Sequence, residues 1–266
     1  MPTESSKTLP SNEEWKAWGQ CDPLYGVATI PEHRRTGPNP WTDKLFYELG
    51  AADWKFFAAK WEQYGLGRGS CVEIGCGAGR LTIHLAKDFA LVHALDVSSS
   101  MIEYARNHAP ANVCFHLTNG LEIPLPTDSV NAVFSAHVLQ HLSSINAAAD
   151  YFTEMKRVLV PGGSLMIHVP IVAWPRGLLS GMLRFIYRAK SIVEKWHVQL
   201  RRAAFRLQLT NTPPMQIIWF ETTWLYETLA NLGFSNIEIR VVFGGSKMAI
   251  QNPFVFATKA DQSDPT

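Results

Sequence analysis

The chain has 266 residues, which is enough for one large α/β domain or two small ones. Its net charge of +1 indicates neither a nucleic-acid-binding protein nor an acidic tail. The four cysteines, Cys21, Cys71, Cys76 and Cys114, lack the paired spacing of a metal site, so reduced, buried thiols in a cytoplasmic protein are expected. No signal peptide is expected, and no apolar stretch is long enough to span a membrane.

The first part of the chain has no regular pattern. Residues 1–14 are polar and are expected to be disordered. Residues 15–41 are aromatic and broken by prolines and glycines, which indicates turns and short helices. This stretch either packs against the edge of a sheet or forms a lid that places Tyr25 or Trp41 against a ligand. A helix is predicted over 42–64.

From residue 70, short apolar strands alternate with helices. Strands are predicted at 70–75, 91–97, 112–117, 130–136 and 164–170, and helices at 79–89, 98–109 and 146–159. A helix at 221–234 and strands at 236–243 and 253–259 close the chain. This alternation predicts βαβ units, and continuous apolar strands are typical of a sheet covered on both faces. The predicted fold class is a doubly wound α/β domain.

The stretch "VEIGCGAGRL" places three glycines, Gly75, Gly77 and Gly79, between a strand and a helix. Glycine lets backbone N–H groups and a helix N-terminus approach a ligand closely. Dinucleotide sites have the spacing G-x-G-x-x-G, whereas the spacing here is G-x-G-x-G, with Glu73 just before it. Asp96 ends the next strand, where a carboxylate can accept ribose hydroxyls. A cofactor that contains a nucleoside is therefore predicted.

With "VFSAHV" at the fourth strand and "VPGGSL" before the fifth, these motifs resemble the class I S-adenosylmethionine-dependent methyltransferases, in particular the methyltransferase type 11 group. The resemblance covers residues 70–170. It implies a mostly parallel, seven-stranded Rossmann-like sheet in a domain over 70–266. A helical N-terminal cap over 1–69 and a helical insertion over 171–214, after strand five, complete the expected organisation.

The resemblance also implies S-adenosylmethionine as cofactor and transfer of its methyl group to an O, N or C atom of a small molecule. Gly75, Gly77 and Gly79 would form the loop under the methionine part, Glu73 would help to hold its amino group, and Asp96 would bind the ribose. The remaining implied contacts are Val97, Met101, Asn119, Gly120, Leu121 and Ser135. Asn119 stands where the family commonly has Asp.

Four histidines are candidates for the site or the core. His137 and His141 follow the fourth strand, where ligands bind in such sheets. One of them could take the proton of an acceptor hydroxyl, and a structural role is the alternative. His168 lies in an apolar strand and is expected to be a core residue with satisfied hydrogen bonds. His33 would lie over the site if the N-terminal segment caps it. No metal is predicted, since no His or Cys pair has ligand spacing.

Residues 175–208 are predicted to form one long helix whose apolar residues recur at steps of three and four. Eight of the 24 basic residues and one of the 23 acidic residues lie between Arg176 and Arg206. Three interpretations stay open. The helix could be a lid whose apolar stripe packs on its own domain and walls the acceptor pocket. It could bind an anionic acceptor, or it could contact an anionic membrane surface peripherally.

The rival functions differ in class. A nucleotide-dependent oxidoreductase is disfavoured by the glycine spacing. A non-catalytic protein with this fold is disfavoured by the intact glycine loop and Asp96. A lipid methyltransferase at the membrane surface is the further alternative, with an anionic or lipid-linked acceptor. Nucleic acid is not expected as a partner. The sequence leaves open the acceptor and the oligomeric state.

Overall fold

The computed structural model describes residues 9–173, 179–242 and 252–260. Its helices are α1 (Pro10–Cys21), α2 (Pro23–Val27), α3 (Asp43–Trp61), α4 (Thr82–Asp88), α5 (Ser99–Arg106), α6 (Ile145–Val158), α7 (Leu179–Arg206) and α8 (Thr222–Asn231). Its strands are β1 (Ser70–Ile74), β2 (Leu91–Asp96), β3 (Val113–Leu117), β4 (Val130–Ser135), β5 (Leu159–His168), β6 (Ile171–Val172), β7 (Phe220–Glu221), β8 (Phe234–Val242) and β9 (Asn252–Lys259).

Seven strands form one sheet in the order β3-β2-β1-β4-β5-β9-β8. Strands β1 to β5 are parallel, and β9 runs antiparallel to both of its neighbours. The predicted fold class, a mostly parallel Rossmann-like sheet, is confirmed. The strand order reverses between β1 and β4, and ligands in such folds bind at the carboxyl ends of the strands at this point.

Side chains at the helix ends explain where several helices begin. The Ser98 hydroxyl accepts a hydrogen bond from the Met101 N–H at 3.4 Å and caps α5, whose Met101, Ile102 and Ala105 are buried as predicted. Ser144 caps α6 in the same way through the Ala147 N–H at 3.1 Å. These caps satisfy N–H groups that have no partner within the helix.

Helices cover both faces of the sheet. Helices α6 and α8 pack on one face. On the other face α3 contributes Trp54, Phe57 and Trp61 to the core, and the Trp61 Nε1–H donates to the Ser164 hydroxyl at 2.9 Å. Because α3 packs directly against the sheet, this part of the 1–69 segment shares the core of the main domain. The domain boundary at residue 70 stays a prediction.

Two expectations about exposure are wrong. Residues 1–14 were expected to be disordered, but residues 10–14 lie in α1. Residues 1–8 lie outside the described part of the chain. Pro10 suits the first turn of a helix because its missing N–H is not needed there, and Ser11 and Asn12 are buried. The four cysteines were expected to be buried, but only Cys71 and Cys76 are, whereas Cys21 and Cys114 are exposed.

The long helix is confirmed over Leu179–Arg206 as α7, but its orientation contradicts the lid interpretation. The stripe was expected to pack on the domain, whereas its described large apolar side chains are exposed. They are Met182, Phe185, Ile186, Ile192, Val193, Trp196, Leu200 and Leu207. The side chains of Leu179, Arg184, Arg188 and Ala189 lie outside the described part. None of the described helices is long and apolar enough to cross a membrane.

Candidate active site

A cavity of about 380 Å³ lies at the carboxyl ends of β1, β2 and β4, within the usual size range of small-molecule sites. The structure brings nine of the predicted site residues to its wall: Glu73, Gly75, Gly77, Asp96, Val97, Met101, Gly120, His137 and His141. Four others, Gly79, Asn119, Leu121 and Ser135, do not line it.

The turn after β1 requires glycine at two positions on the cavity wall. Gly75 and Gly77 have φ angles of 73° and 53°, in the left-handed region that other residues rarely adopt. A Cβ on Gly75 would lie 2.3 Å from the side chain of Val138, and a Cβ on Gly77 would lie 2.4 Å from that of Val27. Any side chain here would therefore displace the wall of the cavity.

Asp96 connects this turn to the end of β2. One carboxylate oxygen accepts the Gly77 N–H at 2.8 Å, and the other accepts the Ser98 N–H at 2.9 Å. Burial raises the pKa of Asp96, and these backbone donors act in the opposite direction. A carboxylate oxygen has two lone pairs, so each can still accept a bond from a ligand hydroxyl in the cavity.

Glu73 lies deeper, at the end of β1. It accepts a hydrogen bond from the Thr82 hydroxyl at 2.6 Å. Burial raises the pKa of Glu73 to about 7, against the opposing effects of the Thr82 hydrogen bond and the nearby Arg80 charge. At neutral pH this carboxyl is therefore poised between its two protonation states, and a cation bound beside it would favour the charged form.

Arg80 is a cavity residue that the sequence analysis missed. It is buried and forms an ion pair with Asp53, which is buried on α3. The Nε–H of Arg80 has no hydrogen-bond partner among the described residues. A buried donor without a partner is costly, so it marks a place where a ligand acceptor would fit. Its position just after the glycine turn was the only signal in the sequence.

The four predicted residues off the wall have local contacts instead. Asn119 Oδ1 accepts the Leu121 N–H at 3.0 Å, which fixes the turn after β3. The Ser135 hydroxyl donates to the Ile74 carbonyl at 3.0 Å and is fully buried. A Cβ on Gly79 would meet that of Ala105 at 3.0 Å. Their assignment to the cofactor stays a prediction.

The N-terminal segment closes the cavity, but through other residues than those expected. Trp15 of α1 and Val27 of α2 line it, together with Ser11 and Asn12. The Asn12 amide donates to the Asn119 carbonyl at 2.6 Å, which ties α1 to the turn after β3. These residues were missed because the stretch around Asn12 is polar and resembles a disordered tail.

The aromatic residues named for a lid do not line the cavity. Trp41 donates through Nε1 to the Ala28 carbonyl at 2.9 Å, and Tyr25 packs on the ring of Trp18 at 5.6 Å. His33 likewise bonds through Nδ1 to the Asn39 carbonyl at 2.6 Å and packs on Trp41. These contacts are structural.

The two candidate histidines differ in their bonding. His141 Nδ1 lies 2.6 Å from the Gln216 carbonyl, which can only accept, so this nitrogen carries the proton. Its Nε2 then accepts from the Gln140 amide at 2.9 Å. Both nitrogens of His141 are thus engaged. His137, with a φ angle of 62°, has no hydrogen-bond partner for its ring among the described residues.

Burial dominates the acid–base properties of this histidine cluster. It lowers the pKa of His137 to about 3, with smaller contributions from the Arg80 and His141 charges. It also lowers the pKa of His141 to about 4. The expectation of satisfied hydrogen bonds for His168 is wrong for Nδ1, which is buried and has no partner within the part of the chain that the structure describes. Its ring instead packs against those of His137, at 4.1 Å, and Phe254, at 5.5 Å.

Comparison with known proteins finds a family match for part of the chain. Residues 72–167 match the methyltransferase domain family. Demethylmenaquinone methyltransferase of Tropheryma whipplei is 33% identical over 129 residues, which are 47% of this chain and 52% of that protein. Probable tRNA methyltransferase 9B of Homo sapiens is 36% identical over 100 residues, which are 36% of this chain and 20% of that protein.

The chain thus spans about half the length, or less, of these curated relatives. Among solved structures, the DhpI–SAH complex has a TM-score of 0.57 and 21% identity, with 96% of each chain covered, and therefore has the same fold. The glycine turn, the Rossmann-like sheet and the family match over 72–167 agree. Residues 72–167 therefore match a methyltransferase domain, carried on a Rossmann-like sheet.

Proposed function

We propose that the chain transfers a methyl group from S-adenosylmethionine to an O, N or C atom of a small-molecule acceptor. The observation that carries this proposal is the one cavity that the glycine turn, Asp96 and Arg80 all line, together with the buried Nε–H of Arg80, which has no partner among the described residues. In the proposed complex, Glu73 holds the amino group of the cofactor, and Arg80 holds its carboxylate. Asp96 binds the ribose hydroxyls, and the adenine lies between Val97, Met101 and Gly120.

The bound cofactor supplies a methyl group that its sulfonium has already activated. The chain must then hold the acceptor in line with that methyl group and exclude water, which can account for much of the acceleration. The tie between Asn12 and the Asn119 carbonyl holds α1 over the cavity. Trp15 and Val27 then close it from above the glycine turn.

We assign the acceptor end of the cavity to the strand-end histidines. With its pKa lowered to about 3, His137 is neutral at pH 7 and is a weak base. It can accept a hydrogen bond from an acceptor hydroxyl or amine and orient it toward the methyl group. His141 acts as a positioning residue, because its two nitrogens hold the Gln140 amide and the Gln216 carbonyl.

The walls at this end favour an acceptor with an apolar part. Trp15, Val138, Leu142, Met215 and Ile217 are apolar residues of the cavity wall, and Val138 and Leu142 are next in sequence to the two histidines. Among the described lining residues Arg80 is the only Lys or Arg, and the proposed complex uses it for the cofactor carboxylate, so the phosphates of a nucleic acid would find little to bind. The relatives are named for demethylmenaquinone and tRNA methylation, and the apolar wall favours a small molecule here.

Asp96→Ala tests the ribose assignment. We expect it to weaken S-adenosylmethionine binding by at least about 1.5–3 kcal/mol, because hydrogen bonds to a charged group are lost. Titration calorimetry measures this, with Asp150→Ala as the matched control, since Asp150 is exposed on α6. An unchanged dissociation constant in the Asp96 variant would refute the assignment. Binding without turnover of any acceptor would favour the non-catalytic alternative.

The pH dependence of cofactor binding tests Glu73. Its carboxyl, with a pKa of about 7, must lose its proton to hold the amino group, so affinity should rise up to about pH 7. Above about pH 8 affinity should fall again, because an α-amino group itself loses its charge with a pKa of about 7.7–8.0. Calorimetry across this pH range measures both the rise of affinity on the acid side and its fall on the alkaline side. Glu73→Gln should abolish only the rise of affinity with pH on the acid side. If the variant kept that rise unaltered, the role of Glu73 would be contradicted.

A further inference from the structure

The orientation of α7 is opposite to that of a core helix. Its polar side faces the domain: Arg202 pairs with the buried Glu14 of α1 and donates to the Gln216 side chain at 3.1 Å. Ser191 and Val198 lie on the same side and line a second cavity, of about 410 Å³, beneath the helix. Arg202 is therefore engaged in docking the helix, and it does not serve an anionic acceptor.

The opposite side of α7 is apolar and faces solvent. Phe185 is 72% exposed and Trp196 is 70% exposed, and the other large apolar side chains of the stripe that the structure describes are exposed as well. Single exposed apolar residues are ordinary, but a continuous stripe along a helix of 28 residues is a contact surface. Such a helix is about 42 Å long and, with its basic residues, is suited to lie flat in an interface rather than to span one.

Positive charges border this stripe on both sides. At 3.6 residues per turn, Lys190 and Arg201 follow one edge, and Lys195 and Arg206 follow the other, all of them exposed. Glu194, the acidic residue of α7, lines the second cavity and lies 3.7 Å from the Lys190 ammonium. Lys195 also lines the second cavity, so these cationic groups lie at the edges of the exposed apolar stripe rather than on its outermost line.

We propose that α7 binds the headgroup region of an anionic lipid membrane through this stripe. The charge pattern distinguishes between two partners for this stripe, a second copy of the chain and an anionic membrane. A second copy of the chain placed on the stripe would bring the basic edges of two α7 helices together, which is repulsive. An anionic bilayer offers an apolar acyl-chain region in which Phe185 and Trp196 can be buried, and negatively charged headgroups for the basic edges of the stripe.

Vesicle binding tests this proposal with the full chain. The probes are vesicles of phosphatidylcholine alone and of an equimolar mixture with phosphatidylglycerol. The wild type should sediment with the anionic vesicles, bind the neutral ones weakly, and dissociate as salt screens the charges. The double variant Phe185→Ser/Trp196→Ser should lower the partition coefficient by at least about ten-fold, since burial of the two aromatic side chains is lost.

The matched control is Leu45→Ser/Tyr226→Ser, which removes two exposed apolar side chains from α3 and α8. It should bind vesicles as the wild type does. Both double variants should keep their affinity for S-adenosylmethionine, which shows that the fold is intact and separates this test from the proposed enzyme activity. The proposal is overturned if the wild type does not bind anionic vesicles, or if the Phe185→Ser/Trp196→Ser variant binds them as strongly as the wild type does. It is also overturned if sedimentation shows a dimer that only the stripe variant dissociates.

Discussion

Gly77→Val should abolish the binding of S-adenosylmethionine. The backbone at Gly77 has a φ angle of 53°, and a β-branched residue there carries a strain of about 1–3 kcal/mol. Its Cβ would also lie 2.4 Å from Val27, so either the turn or α2 must move. Either movement disturbs the Gly77 N–H bond to Asp96. Calorimetry should show an affinity loss of at least about a hundred-fold, or roughly 2.7 kcal/mol.

Gly162→Val provides the matched control for this change. Gly162 has a φ angle of 75°, but no atom lies within 4 Å of the position that its Cβ would take. It therefore has comparable backbone strain without the steric conflict at the cavity. Circular dichroism should show both variants folded, and only Gly77→Val should lose the cofactor. Equal binding by the two variants would mean that the glycine turn does not hold the ligand.

Asp53→Ala should lower the free energy of unfolding by about 3–5 kcal/mol, which is the cost of leaving one member of a buried ion pair without its partner. Asp53 and Arg80 are both almost completely buried, and they join α3 to the start of the segment that follows the glycine turn. Urea denaturation measures the loss. Asp53→Asn retains an acceptor for the arginine and should be intermediate, which keeps the test usable if the alanine variant does not fold.

The exposed pair of Glu13 and Lys16, at 2.8 Å, gives the comparison. Glu13→Ala removes the same kind of contact in water, where such pairs contribute about 0–1 kcal/mol. If Asp53→Ala were no more destabilising than Glu13→Ala, the buried pair would have no special role in holding α3 against the cavity.

The sequence by itself determined the alternation of strands and helices in the main sheet and the glycine turn at the cavity, although it began strand five at residue 164 whereas β5 begins at Leu159. Strand and helix periods are local properties, so the alternation from residue 70 onward and the serine cap at Ser98 could be recognised without the fold. The turn of Gly75 and Gly77 was recognisable for a similar reason, because its backbone angles depend on a few consecutive residues. Asp96 followed from the fixed length of a βαβ unit.

Only the tertiary structure decided which distant residues meet. The pairing of Arg80 with Asp53 and the closure of the cavity by Asn12 and Trp15 join segments far apart in sequence. The orientation of α7 was decided in the same way. A helical period shows that a helix has an apolar face, but the direction of that face depends on what its polar face binds. Here the Arg202 pair with Glu14 holds the polar side inward, so the apolar stripe faces outward.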